Sequence, residues 1–385
     1  MTYLIGLGFL IGIQVLTQIF FGINIIFGVP LIPVIGQIFF VIPVIFISRL
    51  IFAGKIQFKN ILIRFNKWPT QEKLLSLVLA FIVISPLIVS FWMPVTSWDA
   101  ITLYDFRAIV ILDTGYIKDT LERASITGYP LFTTLAHWLA YSIGLSTPML
   151  LYPLLYGAFL LVSYHQIHRL TNRLIALLGT LFLAVAPKMF DQSLVAYTNM
   201  PYTVYLILGA SFIYLWKKQH QRHDFILGLL FSLFSLWVRS FPFLIVQLGL
   251  LLIYLNISKI FKLAIVFLAS IFFLRYLPVL DFNQALMVLD YLKWSIFQYY
   301  LPYWVLFGFT LAAWFKSPKR DYYWPLLITG YTFLLFMGTY IYSFGDIKFT
   351  VIPDTIQRTA MFINLAIIWF TIITLHDTFK KNNLI

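Results

Sequence analysis

Long apolar runs are the feature that most constrains the fold of this 385-residue chain. Runs of about 18 residues or more recur along it, and that length matches the hydrocarbon thickness of a bilayer. The runs are continuous rather than alternating, so helices are favoured over the strands of a membrane barrel. With 61% hydrophobic residues, the sequence predicts an all-α polytopic membrane protein and excludes a soluble fold.

About twelve membrane helices are predicted from these runs. In chain order they cover residues 3–27, 30–52, 74–95, 148–168, 173–190, 200–216, 224–240, 242–257, 260–280, 300–315, 322–343 and 359–376. The first run lacks the basic flank and the small-residue cleavage site of a signal peptide, so it is predicted to be retained as a helix. Cysteine is absent, which removes disulfides and thiolate metal ligands.

The charges between the runs predict the orientation. The connection 53–73 has one acid, Glu72, against the five basic residues Lys55, Lys59, Arg64, Lys67 and Lys73. The positive-inside rule therefore places it in the cytoplasm, and alternation places both termini there too. The net charge of +13 is explained by anionic inner-leaflet lipid rather than by nucleic acid. The predicted location is the plasma membrane, with membrane lipid as a partner.

The longest polar segment is the predicted outer loop 96–147, where any chemistry is expected. It carries eight charged residues between Thr96 and Gly128: Asp99, Asp105, Asp113, Asp119, Glu122, Arg107, Lys118 and Arg123. Within the loop, the stretch from Tyr129 to Tyr141 is apolar but too short to span comfortably. It is predicted to be an interfacial helix on the outer surface, with Tyr129, Trp138 and Tyr141 in the headgroup region.

Several short motifs follow one another on the predicted outer face. They are Trp98-Asp99-Ala100 with Tyr104 and Arg107-Ala108, then Gly128-Tyr129-Pro130-Leu131 with His137-Trp138, then Ala196-Tyr197-Thr198-Asn199-Met200-Pro201, and finally Gln357-Arg358-Thr359. In this order they resemble GT-C-fold glycosyltransferases similar to protein O-mannosyltransferases and the aminoarabinose transferase of lipid A. The resemblance covers about 74–385. Residues 1–73 are accordingly predicted to form an added two-helix hairpin with a basic cytoplasmic loop, and 74–385 the catalytic module.

The resemblance implies an inverting membrane enzyme that moves a sugar from a polyprenyl-phosphate donor to a hydroxyl of a glycan, lipid or protein acceptor. It implies Asp99 as the general base. It also implies phosphate contacts from arginine, whose planar fork suits phosphate, in the order Arg358, Arg239, Arg107. Further candidate substrate contacts are Asp105, Asp113, Tyr129, His137 and Asn199.

The chain departs from these relatives at several points. Asp99 is followed by Ala100 where mannosyltransferases often have a second acid, and Asn199 replaces a common acid. Arg239-Ser240 stands where a Thr-Lys pair is frequent, and the outer C-terminal domain of some relatives is not expected. No metal or other cofactor is predicted, because the histidine pairs His165 with His168 and His220 with His223 fall on the predicted inside.

Several candidates also have a purely structural interpretation. Asp99 could cap the helix that begins near Ala100, and Arg358 could extend toward lipid headgroups. Asp113-Thr114-Gly115 fits a simple turn, and Arg239 lies beside Pro242 near a membrane boundary, where a structural kink is an equal alternative to a functional role.

Two other functional classes remain open. A polyprenyl-linked glycan polymerase or ligase would also have many helices and outer arginines, but its main outer loop is expected late in the chain. A lipid or solute transporter would place ionisable residues in the middle of its helices, whereas the predicted spans contain almost no ionisable residues. The early position of the main loop and the scarcity of ionisable residues in the spans favour the glycosyltransferase.

Overall fold

The computed structural model describes residues 2–52, 65–123, 129–255, 258, 281–317, 320–342 and 353–381. Within these residues every regular element is helical. The N-terminal half contains α1 (Thr2–Ile25), α2 (Pro33–Phe52), α3 (Thr70–Ser90), a π-helical turn (Ala100–Asp105), α4 (Phe106–Thr114), α5 (Lys118–Arg123), α6 (Phe132–Ser142), α7 (Leu151–Leu170), α8 (Arg173–Ala184) and α9 (Met189–Gln192).

The C-terminal half continues with long helices. It contains α10 (Asn199–Gln219), α11 (Arg222–Val238), α12 (Leu244–Tyr254), α13 (Phe282–Leu292), a second π-helical turn (Lys293–Gln298), α14 (Leu301–Lys316), α15 (Tyr323–Tyr342), α16 (Pro353–Thr359) and α17 (Met361–Lys381). The chain divides into two compact units. The first comprises Met1–Val185, Met189–Val204 and Phe234–Ser240, and the second Ala186–Lys188, Tyr205–Leu233 and Phe241–Ile385.

Several helices have the length and composition of membrane spans. Among the described residues, four qualify: Tyr3–Ile25, Thr70–Ser90, Tyr323–Ile341 and Met361–Thr378. The helices α8 and α12 are apolar but shorter. The described part of the chain is therefore all-helical with candidate membrane-spanning helices, and the total of about twelve stays a prediction. The predicted span 260–280 lies outside the described residues.

The N-terminal helices pack tightly into the first unit. The helix α1 lies along α7 and also contacts α6. The helix α2 contacts α6 as well. Gly6 of α1 allows the close approach, since a Cβ there would lie 3.1 Å from the carbonyl oxygen of Ala158. Gln37 of α2 donates a hydrogen bond from Nε2 to the carbonyl oxygen of Ser142, at 3.0 Å. The hairpin and the loop 96–147 thus share one packed unit, and the predicted boundary after residue 73 stays a prediction.

Asn24 joins the end of α1 to the turn that follows α4. Its Nδ2 donates to the carbonyl oxygens of Gly115 (2.8 Å) and Val29 (2.9 Å), and its Oδ1 accepts from the backbone N–H of Ile117 (2.8 Å). Gly115 has φ +79°, which favours glycine, and a Cβ there would meet Pro30 at 2.9 Å. This Asn24–Gly115 junction fixes one end of the loop. The turn expected at Asp113-Thr114-Gly115 begins later than predicted, because Asp113 and Thr114 are the last residues of α4 and the chain turns at Gly115.

The prediction that the stretch 129–141 is an interfacial helix is wrong. Its helical part, α6, is buried along nearly its whole length, because α1, α2, α4 and α7 surround it. Trp138 is fully covered, with the ring of Phe20 at 5.0 Å, and Tyr141 bonds to a buried carboxylate instead of reaching headgroups. The apolar composition that suggested a lipid contact therefore reflects contact with other helices.

In the second unit, α14 and α15 both pack on α17. The backbone N–H of Asp281, just before α13, donates to the Tyr340 hydroxyl near the end of α15, at 2.9 Å. The second π-helical turn contacts α16, and the Tyr300 hydroxyl donates to the carbonyl oxygen of Gln357 at 2.8 Å. Together α13, this turn and α16 form an end layer, at the end of the unit where α15 stops and where α14 and α17 begin.

Candidate active site

The π-helical turn Ala100–Asp105 carries the centre of the predicted site. Its wide backbone directs Tyr104 and Asp105 into the first unit, and π-helical turns are frequent at functional sites. Asp99 precedes the turn with helical backbone angles, and its carboxylate makes no capping hydrogen bond. The structure therefore contradicts the helix-cap interpretation of Asp99. Its side chain is exposed beside the exposed Trp98.

Tyr104 contacts residues far along the chain. Its hydroxyl lies 3.3 Å from the Oγ1 of Thr198, and its ring meets Tyr129 edge-on at 5.9 Å. Burial raises the pKa of Tyr104 to about 12, with the positive charge of Arg239 opposing the rise and the negative charge of Asp99 adding to it. Both charges therefore act on the Tyr104 hydroxyl, which stays protonated and able to donate.

Arg239 directly follows α11 and points into the same cluster. Its Nη1 donates a hydrogen bond to the Oδ1 of Asn199, the first residue of α10, and its guanidinium lies 5.7 Å from the centre of the Tyr129 ring. Asn199 is a neutral acceptor, so it orients the guanidinium without cancelling its charge. An acid at position 199, the residue type that the resemblance leads us to expect, would instead neutralise the charge of Arg239.

A second polar group lies behind the turn. The Oδ1 of Asp105 accepts hydrogen bonds from the Tyr141 hydroxyl (2.7 Å) and from the Nδ1 of His137 (3.1 Å). The Nε2 of His137 lies 2.8 Å from the Tyr152 hydroxyl. Burial lowers the pKa of His137, although Asp105 opposes the shift. The neutral imidazole therefore donates from Nδ1 to Asp105 and accepts from Tyr152 at Nε2.

The remaining candidates occupy different places. His137 is fully buried and holds Asp105 from behind, and Arg107 is fully covered with its pKa lowered by burial. Asp113 is exposed at the far end of α4. Arg358 lies in α16 of the second unit, where its Nη2 is 3.4 Å from the Oγ1 of Thr355. The structure thus brings together Tyr129, Asn199 and Arg239 of the predicted set. Asp99 lies just before the π-helical turn, and its charge adds to the rise in the pKa of Tyr104.

Three contributors were missed as site residues from the sequence: Tyr104, Thr198 and Tyr141. Tyr141 follows His137 by four residues on one helix, a spacing that puts both side chains on the same face and that could have indicated their common partner. Thr198 offers no such signal, because its contact with Tyr104 joins residues 94 positions apart. Among the described residues no group of three His, Asp or Glu side chains could hold a metal ion, and the metal and cofactor predictions stay predictions.

Comparison with known proteins adds no assignment to this geometry. The chain matches no protein-family model, no curated protein and no solved structure. Any assignment of function therefore rests on the geometry of the cluster itself.

Proposed function

We propose that the protein is an integral membrane glycosyltransferase that moves a sugar from a polyprenyl-phosphate donor to a hydroxyl acceptor. The observation that carries the proposal is the cluster in which Tyr104 contacts Thr198 and Tyr129 while Arg239 contacts Tyr129 and Asn199. The exposed carboxylate of Asp99 precedes the π-helical turn that carries Tyr104. These residues come from segments separated by more than a hundred positions, and together they offer a proton acceptor and two donors for an anion. Glycosyl transfer from a phosphate needs this combination of groups.

Asp99 is the general base in the proposed reaction. Its carboxylate takes the proton of the acceptor hydroxyl while the acceptor oxygen forms a bond to the anomeric carbon of the sugar. On the opposite side of that carbon, the bond to the phosphate oxygen breaks, and its electron pair leaves with the polyprenyl phosphate. A single displacement of this kind inverts the anomeric configuration. The exposure of Asp99 and the lack of a capping hydrogen bond support this role.

Arg239 and Tyr104 stabilise the leaving phosphate. Charge-assisted hydrogen bonds from a guanidinium suit the phosphate oxygens, and Asn199 together with the Tyr129 ring holds the guanidinium in place. The Tyr104 hydroxyl remains protonated at neutral pH, since its pKa is about 12, so it can donate a further hydrogen bond. Donors aimed at the group where negative charge develops lower the barrier to its departure.

The finer topology belongs to the same proposal. With about twelve spans and both termini in the cytoplasm, the loop 96–147 faces outward and the reaction takes place at the outer surface of the plasma membrane. The phosphate contact that the resemblance implies for Arg358 stays a prediction. The carbohydrate and the acceptor are defined only by class, as a sugar on a polyprenyl phosphate and a hydroxyl compound.

The test is direct turnover by the purified full chain in lipid vesicles. It is incubated with polyprenyl phosphates carrying different sugars, and release of polyprenyl phosphate is measured. We expect release with at least one donor, and Asp99→Asn should reduce it roughly 100-fold or more while donor binding persists. Asp119→Asn, in the same loop, is the matched control and should be nearly silent. Near-normal transfer by Asp99→Asn would rule out Asp99 as the base, and no release from any donor would refute the proposed function.

A further inference from the structure

The surface of α13 has three distinct sides. Phe282, Leu286 and Leu289 recur at intervals of four and three residues, so they form one stripe along the helix. All three are large, apolar and exposed, at 74%, 47% and 51%. We call them the apolar stripe. A helix that faces water would not normally expose an apolar surface of this kind.

The other two sides of α13 are different in character. Asn283, Met287 and Asp290 form a neighbouring exposed stripe, polar at two of its three positions. Val288, Tyr291 and Leu292 are buried in the second unit. The helix therefore has one side on protein, one exposed side that is polar and one exposed side that is apolar. This is the surface pattern of a helix that lies in a membrane interface while it packs on a neighbour.

The position of α13 is set by its attachment to α15. The hydrogen bond between the Asp281 backbone and the Tyr340 hydroxyl holds the start of α13 at the end of the candidate span Tyr323–Ile341. The end layer also lies where the candidate span of α17 begins. If these two helices cross a membrane, α13 is at the depth where the hydrocarbon region meets the headgroups.

We propose that the apolar stripe of α13 is a lipid-binding surface that inserts between the headgroups and the acyl chains of the bilayer. The exposed stripe with Asn283 and Asp290 then faces the headgroups and water, and the buried side anchors the helix to the unit. Lys293, which follows the stripe at the start of the second π-helical turn and is exposed, can extend its ammonium to lipid phosphate. The inference requires α15 and α17 to cross the membrane and does not depend on the proposed glycosyl transfer.

Single-cysteine labelling tests the surface directly, because the native chain contains no cysteine. A nitroxide is attached to Leu286→Cys or Leu289→Cys in the full chain, reconstituted in vesicles of phosphatidylcholine with phosphatidylglycerol. Asn283→Cys and Asp290→Cys are the matched controls on the same helix. Collision of each label with oxygen, which concentrates in hydrocarbon, is compared with collision with a water-soluble nickel chelate.

The expected result is a ratio of oxygen to nickel collisions several-fold higher at positions 286 and 289 than at positions 283 and 290. All four sites are exposed, so labelling is not expected to disturb folding, and the melting temperature of each variant checks this. Equal access of nickel to both stripes would show that the surface faces water. Protection from both reagents at 286 and 289 would show that protein, such as a second copy of the chain, covers it. Either outcome would overturn the proposal.

Discussion

Replacing Asn199 with aspartate tests how Arg239 is prepared for an anion. The side chain keeps its size, but the oxygen that accepts from the Nη1 of Arg239 becomes part of a carboxylate. The new charge pairs with the guanidinium and competes with any phosphate for its donors. We therefore expect Asn199→Asp to weaken the binding of the lipid-linked donor and to leave the fold intact.

The magnitude follows from the contact that is lost. One charge-assisted hydrogen bond to phosphate is worth about 1.5–3 kcal/mol, which corresponds to a roughly 10- to 150-fold rise in the KM of the donor. The effect on stability is small because Arg239 is only partly buried, and ion pairs of that kind contribute about 0–1 kcal/mol. Donor affinity should thus fall while the melting temperature stays constant or rises slightly.

The assay measures the KM for the polyprenyl-phosphate sugar in purified protein, together with the melting temperature. A double-mutant cycle with Arg239→Ala supplies the control, since Asn199→Asp should add little once the guanidinium is gone. An unchanged KM in Asn199→Asp, or the same loss in both backgrounds, would show that Asn199 does not act through Arg239.

Three further predictions address the rest of the chain. A cysteine at Lys118 should react with an impermeant reagent from outside the cell and one at Asn66 should not, and labelling of both from one side would invalidate the orientation. Asn24→Ala removes three hydrogen bonds, each worth about 1 kcal/mol, so the melting temperature should drop clearly, whereas Asn283→Ala on the exposed surface should change it little. The pKa of His137 is lower in the folded state than in the unfolded state. As the pH falls below about 6.5, the unfolded state therefore takes up a proton at His137 that the folded state does not, and the free energy of unfolding decreases. In His137→Gln that part of the pH dependence should be absent, and an identical pH profile would contradict a buried neutral His137.

Much of the helical layout follows from the sequence because each span is a local pattern. Predicted helices at 148–168 and 200–216 correspond to Leu151–Leu170 and Asn199–Gln219 in the structure. The prediction for 173–190 was too long, since α8 ends at Ala184, close to Pro187, and the residue before a proline disfavours helix. Local rules of this kind set where a helix starts and stops.

The site was only partly predictable because its contacts are not local. Asp99 and Arg239 belong to motifs that the sequence shows, yet nothing in the sequence indicates that Tyr104 contacts Thr198 and Tyr129. The interpretation of α6 failed for the same reason. An apolar helix packed on other helices and one lying in lipid have similar compositions, and only the tertiary contacts of Trp138 distinguish them.

The Asn24–Gly115 junction has a consequence for how the protein is made. The two partners are 91 positions apart in the chain, so α1 leaves the ribosome long before the backbone groups that Asn24 will bind. Until then its amide has to remain hydrated or find temporary partners, because an unsatisfied amide is costly in hydrocarbon. The first helix can take its final position only after Gly115 and Ile117 have been synthesised. Asn24 therefore couples the final packing of the earliest helix to a synthesis step that comes much later.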